Sequence, residues 1–89
     1  MISNDSKKIL AINIKYYRHE KNLSQEDLAD SLKASLTYLN NLENSKRNPS
    51  LKTIDKIADY FNITTAQLLT YDKKHIINLS RIDQKKNFQ

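Results

Sequence analysis

The sequence contains no glycine, no cysteine and no tryptophan, and a single proline, Pro49. Each absence excludes something. Without cysteine there is no disulfide framework and no thiolate metal site. Without glycine there is no glycine-rich phosphate loop. Any residue needing a left-handed backbone must then be asparagine or a strained side chain. No apolar run approaches the roughly 18 residues that span a bilayer. Met1-Ile2-Ser3-Asn4-Asp5 lacks the basic and apolar regions of a signal peptide. Together these features predict a cytoplasmic protein with no membrane partner. Histidine is scarce, and neither His19 nor His75 has a partner at zinc-binding spacing. No serine has a visible histidine and carboxylate setting. No metal, no cofactor and no enzymatic activity are expected.

What remains suits one small globular domain. The chain has 89 residues, of which 38% are hydrophobic and 28% charged. A core of that size leaves little room for a deep cleft, and no small-molecule ligand is evident. Fifteen lysines and arginines against ten acidic residues leave a net charge of +5. That sign suits a polyanionic partner, because lysine and arginine neutralise phosphates and release counterions.

Helix signals recur at short intervals. Leu10, Ile14 and Tyr17 form one apolar stripe, which predicts a helix from about Ser6 to Lys21, closed by a left-handed Asn22. Ser24 is an N-cap, with Leu23 able to staple to Leu28. The second helix carries Leu28, Ala29 and Leu32. Ser35 caps a third, with Leu39 and Leu42 facing inward. A polar, basic loop from Asn44 to Asn48 follows. Ser50 opens a fourth helix whose apolar face is Leu51, Ile54, Ile57, Ala58 and Phe61. Thr64 and Gln67 read as a capping box for a short fifth helix, Thr65 to about Leu69. No segment alternates with period two for long. The fold class is therefore all-α: a compact five-helix bundle over residues 6–70. The tail, 71–89, has apolar residues at Ile76, Ile77, Leu79 and Ile82, and is either an extra helix or a frayed end.

Residues 25–42 carry the main signal, a helix-turn-helix. Leu28, Leu32, Ala34, Leu39 and Leu42 supply its apolar contacts, and the small Ala29 lies where the helices approach most closely. The stretch Leu32 to Ser35 supplies the short turn. Thr37, Asn40, Asn41 and Asn44 give the second helix a polar outer face. Leu23-Ser24-Gln25-Glu26-Asp27-Leu28-Ala29 resembles the start of the Cro/repressor-type, or Xre, helix-turn-helix. Thr37-Tyr38-Leu39-Asn40-Asn41-Leu42-Glu43-Asn44 resembles its recognition helix. Arg47-Asn48-Pro49-Ser50-Leu51 and Ile57-Ala58-Asp59-Tyr60-Phe61 resemble the following loop and fourth helix. The resemblance covers about Leu10 to Leu69. It departs at two turns, where Lys33 and Ser45 stand in place of the usual glycines.

The resemblance implies a sequence-specific DNA-binding transcriptional regulator acting on double-stranded DNA. Members of the family occur as phage repressors, controllers of restriction-modification genes and regulators of mobile elements. Leu36, Thr37, Asn40 and Asn41 are then expected to face base edges. Asparagine can pair bidentately with adenine, and threonine or leucine can meet a thymine methyl. The bland alternative is a solvated polar face with a tolerated exposed leucine. Gln25, Tyr38, Asn44, Lys46, Arg47 and Asn48 are expected at phosphates, the alternative being ordinary solvated residues and, for Tyr38, a packing role that could accompany the phosphate contact. The resemblance also pairs Arg18 with Glu43 as a structural ion pair; otherwise they are unrelated surface charges. A homodimer on a palindromic operator is expected, with Ile63, Leu69 and Tyr71 at the interface unless they only close the monomer's core. A competing function is an antitoxin or protein-interaction module whose tail engages a partner. RNA binding is disfavoured, since no exposed aromatics cluster as a stacking platform.

Overall fold

The computed structural model describes residues 5–87, with side chains as far as Arg81. Six helices follow in order: α1 (Ser6–Glu20), α2 (Gln25–Leu32), α3 (Leu36–Glu43), α4 (Leu51–Tyr60), α5 (Thr65–Leu68) and α6 (Lys73–Asn87). No strand occurs among the described residues. The five expected helices are present, and the tail adds a sixth. The side chain of Ile82, one of the tail's apolar residues, lies outside the described residues.

Side-chain caps open five of these helices. Ser24 Oγ accepts from Asp27 N at 3.0 Å while Asp27 returns a bond to Ser24 N at 3.2 Å. Thr64 and Gln67 repeat that reciprocal box at 3.0 and 2.8 Å. Asp5, Ser35 and Ser50 cap α1, α3 and α4 singly. Each cap satisfies a backbone donor that the first helical turn leaves open.

The missing glycines have a visible cost. Asn22, Lys33, Ser45 and Asn62 take positive φ of 56°, 55°, 61° and 58°. All four end a helix or a turn. Asparagine tolerates this region, whereas Lys33 and Ser45 bear a strain of about 1 kcal/mol or more each. Lys33 closes α2 in the left-handed conformation, and the Lys56 ammonium of α4 donates to the Leu32 carbonyl beside it. A cation at the negative end of α2 offsets part of that strain.

Leu10, Ile14, Leu28, Leu32, Leu39, Leu42, Ile54, Ile57, Phe61 and Leu68 form the core, as the periodicity predicts. Leu51 departs from its expected place on the buried face of α4, being 72% exposed. It occupies the first position of α4.

A buried ion pair sets the angle of α3. Arg18 of α1 donates from Nε to Glu43 Oε2 at 2.8 Å and from Nη2 to Glu43 Oε1 at 2.9 Å. Its third nitrogen, Nη1, donates to the Leu23 carbonyl at 2.9 Å. Both residues are buried. The Arg18 guanidinium thus ties α1 to the loop before α2 and to the end of α3.

A second polar link docks α6. Asn13, buried on the inner face of α1, donates both amide protons, to the Leu68 carbonyl at 2.7 Å and the Thr70 carbonyl at 2.9 Å. Its Oδ1 therefore faces His75 Nδ1 at 2.7 Å, which must carry the proton. The His75 ring stacks on Tyr16 at 3.7 Å and meets Tyr17 edge-on at 5.3 Å. Its Nε2 lies 3.5 Å from Asp72 Oδ2.

Two predictions follow from these links. Breaking a buried pair by removing one partner costs about 3–5 kcal/mol, because the other charge stays buried alone. Arg18→Ala and Glu43→Ala should each lose that much in chemical denaturation, and the double variant less than their sum. Strictly additive losses would show that the pair carries no coupling energy. For His75, burial lowers the pKa, against the opposing pull of the Asp72 and Glu20 carboxylates. Below the ordinary histidine value of about 6.5, the unfolded chain then binds more protons than the folded one. Stability from neutral His75 is full above that pH. It is lost as pH falls toward the lowered folded value. The urea midpoint should drop across that window, and His75→Gln should flatten the slope. An unchanged slope in the variant would assign it to other groups.

Candidate nucleic-acid interface

α3 presents distinct faces because its two leucines and Glu43 are drawn inward. At 3.6 residues per turn, Thr37, Asn41 and Asn44 point the opposite way. Leu36 and Asn40 occupy the flank beside α2. Tyr38 occupies the flank beside α4, where it lines a cleft with Leu32, Thr53, Lys56 and Ile57. Thr37 and Leu36 are exposed and Asn41 is half-buried. The side chains of Thr37 and Asn41 make no hydrogen bond among the described residues.

A chain of carboxamides runs along the α2 flank. Gln25 Nε2 donates to Glu43 Oε1 at 3.0 Å. Asn40 Nδ2 donates to Gln25 Oε1 at 3.3 Å. Asn44 Nδ2 donates to Asn40 Oδ1 at 3.1 Å and to the Asn40 backbone carbonyl at 2.9 Å. Every donor points toward Glu43. Asn40 is therefore held in a network, although one N–H and one lone pair stay open. Gln25 likewise keeps one side-chain N–H. Its backbone N–H and that of Glu26 have no carbonyl partner within α2. Asn44, expected at a phosphate, has its amide nitrogen within hydrogen-bond reach of both Asn40 oxygens.

Beyond α3 the backbone turns at Ser45, and Lys46 N returns to the Asn41 carbonyl at 2.9 Å. Lys46, Arg47 and Asn48 are exposed. The Arg47 guanidinium lies 4.9 Å from the centroid of the Tyr38 ring. This places the cation over the negative face of the phenol ring. The basic loop and the phenol thus form one cluster, which sequence reasoning treated as separate contacts. Ile63 and Leu69 are half-buried against the core, and Tyr71 is 43% exposed.

Sequence reasoning missed the carboxamide chain, the Arg47–Tyr38 stack and the Asn13–His75 link. Asn13 had a signal, being a polar residue on the apolar stripe of α1. Gln25 and Glu43 had none, as their bond joins residues 18 positions apart. Among the described residues, no group of three or more His, Cys, Asp or Glu side chains is placed to hold a metal ion. No helix there is long and apolar enough to cross a membrane.

Comparison with known proteins agrees with this geometry. Residues 14–68 match the helix-turn-helix family. The chain is similar to control protein C.SmaI of Serratia marcescens, 41% identical over 66 residues, 74% of this chain and 79% of that protein. It is also similar to control protein C.MunI of a Mycoplasma species, 38% identical over 68 residues, 75% of this chain and 92% of that protein. The crystal structure of the hypothetical transcription factor NHTF from Neisseria superposes with a TM-score of 0.74 at 27% identity, covering 85% of this chain and 90% of that one. The chain belongs to the helix-turn-helix family, of Xre type, and is a DNA-binding transcriptional regulator and not an enzyme.

Proposed function

We propose that the chain binds a palindromic operator as a homodimer and regulates genes of the phage, mobile-element or restriction-modification kind. The observation that carries this reading is the outer face of α3. Thr37 and Asn41 are free of internal bonds there, on a helix whose opposite face is locked into the core. Phosphate donors flank that face on both sides. The first-turn N–H groups of α2 and the Gln25 side chain lie on one. Tyr38, Lys46, Arg47 and Asn48 lie on the other. Such an arrangement suits α3 entering the major groove between two phosphate strands. Leu36, Thr37, Asn40 and Asn41 then face base edges. Likeness to proteins named as control proteins supports the regulatory class.

One recognition helix supplies too few base contacts for genomic selectivity, so a second half-site is needed. The helix-turn-helix must stay free for DNA. Tyr71, Ile63 and Leu69 are the residues we assign to the interface with the partner copy. Half-sites would lie about 34–36 Å apart.

Duplexes selected from a random pool test the base-reading role. Asn41→Ala should weaken a selected duplex by about 1–3 kcal/mol and relax preference at one position. Arg47→Ala should weaken every sequence alike and reduce the salt slope by about 1. Equal losses on selected and scrambled duplexes would remove Asn41 from the base readers. Sedimentation at micromolar concentration tests the dimer. Tyr71→Asp combined with Leu69→Asp should yield monomers that bind the palindrome more weakly. A wild-type monomer saturating a single half-site at full affinity would overturn the two-fold model.

A further inference from the structure

We infer that the cleft between α3 and α4 binds a small organic acid, a single ring or short branched chain bearing one carboxylate. The site goes beyond the proposed DNA reading and does not depend on it. Tyr38 is the one side chain that the cleft shares with the surface set against phosphate.

The cleft follows from how the helices pack. α3 is held to α1 and α2, whereas α4 is held to α2 and α5. The two helices share α2 as a neighbour, and a gap of about 200 Å³ opens between them. Leu32 of α2, Leu39 and Leu42 of α3 and Ile57 of α4 line it, and all four belong to the core. No such site is expected from the sequence, because its wall is assembled from three separate helices. An apolar cavity of about 150 Å³ suffices for benzene, so this gap has room for one ring and a carboxylate. Water finds few hydrogen-bond partners against aliphatic side chains, which favours an apolar body there.

Charge selects the head group. Lys33 and Lys56 line the cleft, and no acidic residue does. Neither lysine has a carboxylate within ion-pair distance among the described residues. Lys56 directs one N–H to the Leu32 carbonyl, and an ammonium has three. Two cations beside one apolar wall attract an anion and repel a cation. Lys33 adds a separate observation. It holds φ of 55° in the helix-turn-helix turn, where a long side chain bears backbone strain. Strain of that kind points to a role for the residue that carries it, and the cleft supplies one. Phosphate, free or in DNA, matches the charge but gains nothing from the leucine and isoleucine wall. An organic acid uses both.

The experiment titrates benzoate into the full chain and follows backbone and methyl NMR signals. Saturable shifts are expected, gathered on Lys33, Ala34, Tyr38, Leu39 and Ile57. The affinity of so small a ligand should be about millimolar. Benzyl alcohol, of similar size and without the charge, should bind about 4- to 25-fold more weakly. Lys33→Gln and Lys56→Gln should each weaken benzoate about 2- to 5-fold, as expected for exposed ammoniums, and leave benzyl alcohol unchanged. Inorganic phosphate at the same concentration should leave the methyls of the cleft unmoved, which separates an organic acid from a DNA phosphate as the natural occupant. The benzyl alcohol comparison uses the unaltered chain, and decides the matter if Lys56→Gln does not fold, since Lys56 also braces the turn. Absence of saturable shifts with both benzoate and the open-chain 3-methylbutanoate overturns the inference. So do shifts spread evenly over the surface, equal affinity for benzoate and benzyl alcohol, benzoate binding indifferent to both lysine substitutions, or equal shifts with inorganic phosphate.

Discussion

The carboxylate of Glu43 is the group on which the reading surface depends. It lies 2% exposed at the last residue of an eight-residue helix. A helix that short is not stable alone. Two leucines hold it to the core, but two apolar contacts permit it to slide or rotate. The Arg18 fork does not, because paired N–H donors require one distance and one plane. Burying both charges carries a desolvation penalty, so the pair is weak evidence for net stability. Its physical consequence is geometric: the orientation of α3 is specified relative to α1 and to the chain entering α2.

Turns in this chain are made without glycine, and the structure shows how. Asparagine stands at two left-handed positions, after α1 and after α4, where its short polar side chain lowers the cost. The helix-turn-helix turn has no such relief, since Lys33 is a long side chain in the left-handed region. Ala34 N returns to the Ala29 carbonyl at 2.9 Å, the same local bond that closes the turns at Asn22, Ser45 and Asn62. Lys56 adds support from outside, reaching across from α4 to the Leu32 carbonyl. The turn is closed locally and braced by one tertiary contact.

That difference also explains what was legible from the sequence. The caps at Ser24, Ser35, Ser50 and Thr64 are local, each involving a residue three positions on, so composition and spacing reveal them. The core leucines are legible for the same reason, since a 3.6-residue period needs no knowledge of the partner. Leu51 fits the period and is nonetheless exposed, because periodicity does not say whether a neighbouring helix covers a given turn. The tail stayed open between helix and frayed end, because its docking runs through Asn13 and His75, 62 residues apart. The resemblance paired Arg18 with Glu43, and the structure shows that pair. The carboxamide chain was not legible at all. Three amides, one of them 15 positions from the next, look like solvated side chains until a buried charge orders them.

The interface consequently has two mechanical parts. Gln25, Asn40 and Asn44 are joined by hydrogen bonds, so on the proposed reading little side-chain entropy would remain to be lost when they meet DNA. Thr37 and Asn41 are unbonded and would surrender their freedom on binding. Ordered groups penalise a mismatched ligand, because they cannot turn to present the other edge. Free groups can adapt, and discriminate less for a given contact. On the proposed reading, specificity would depend on a buried ion pair that contacts no base, through the stiffness that it passes outward along α3.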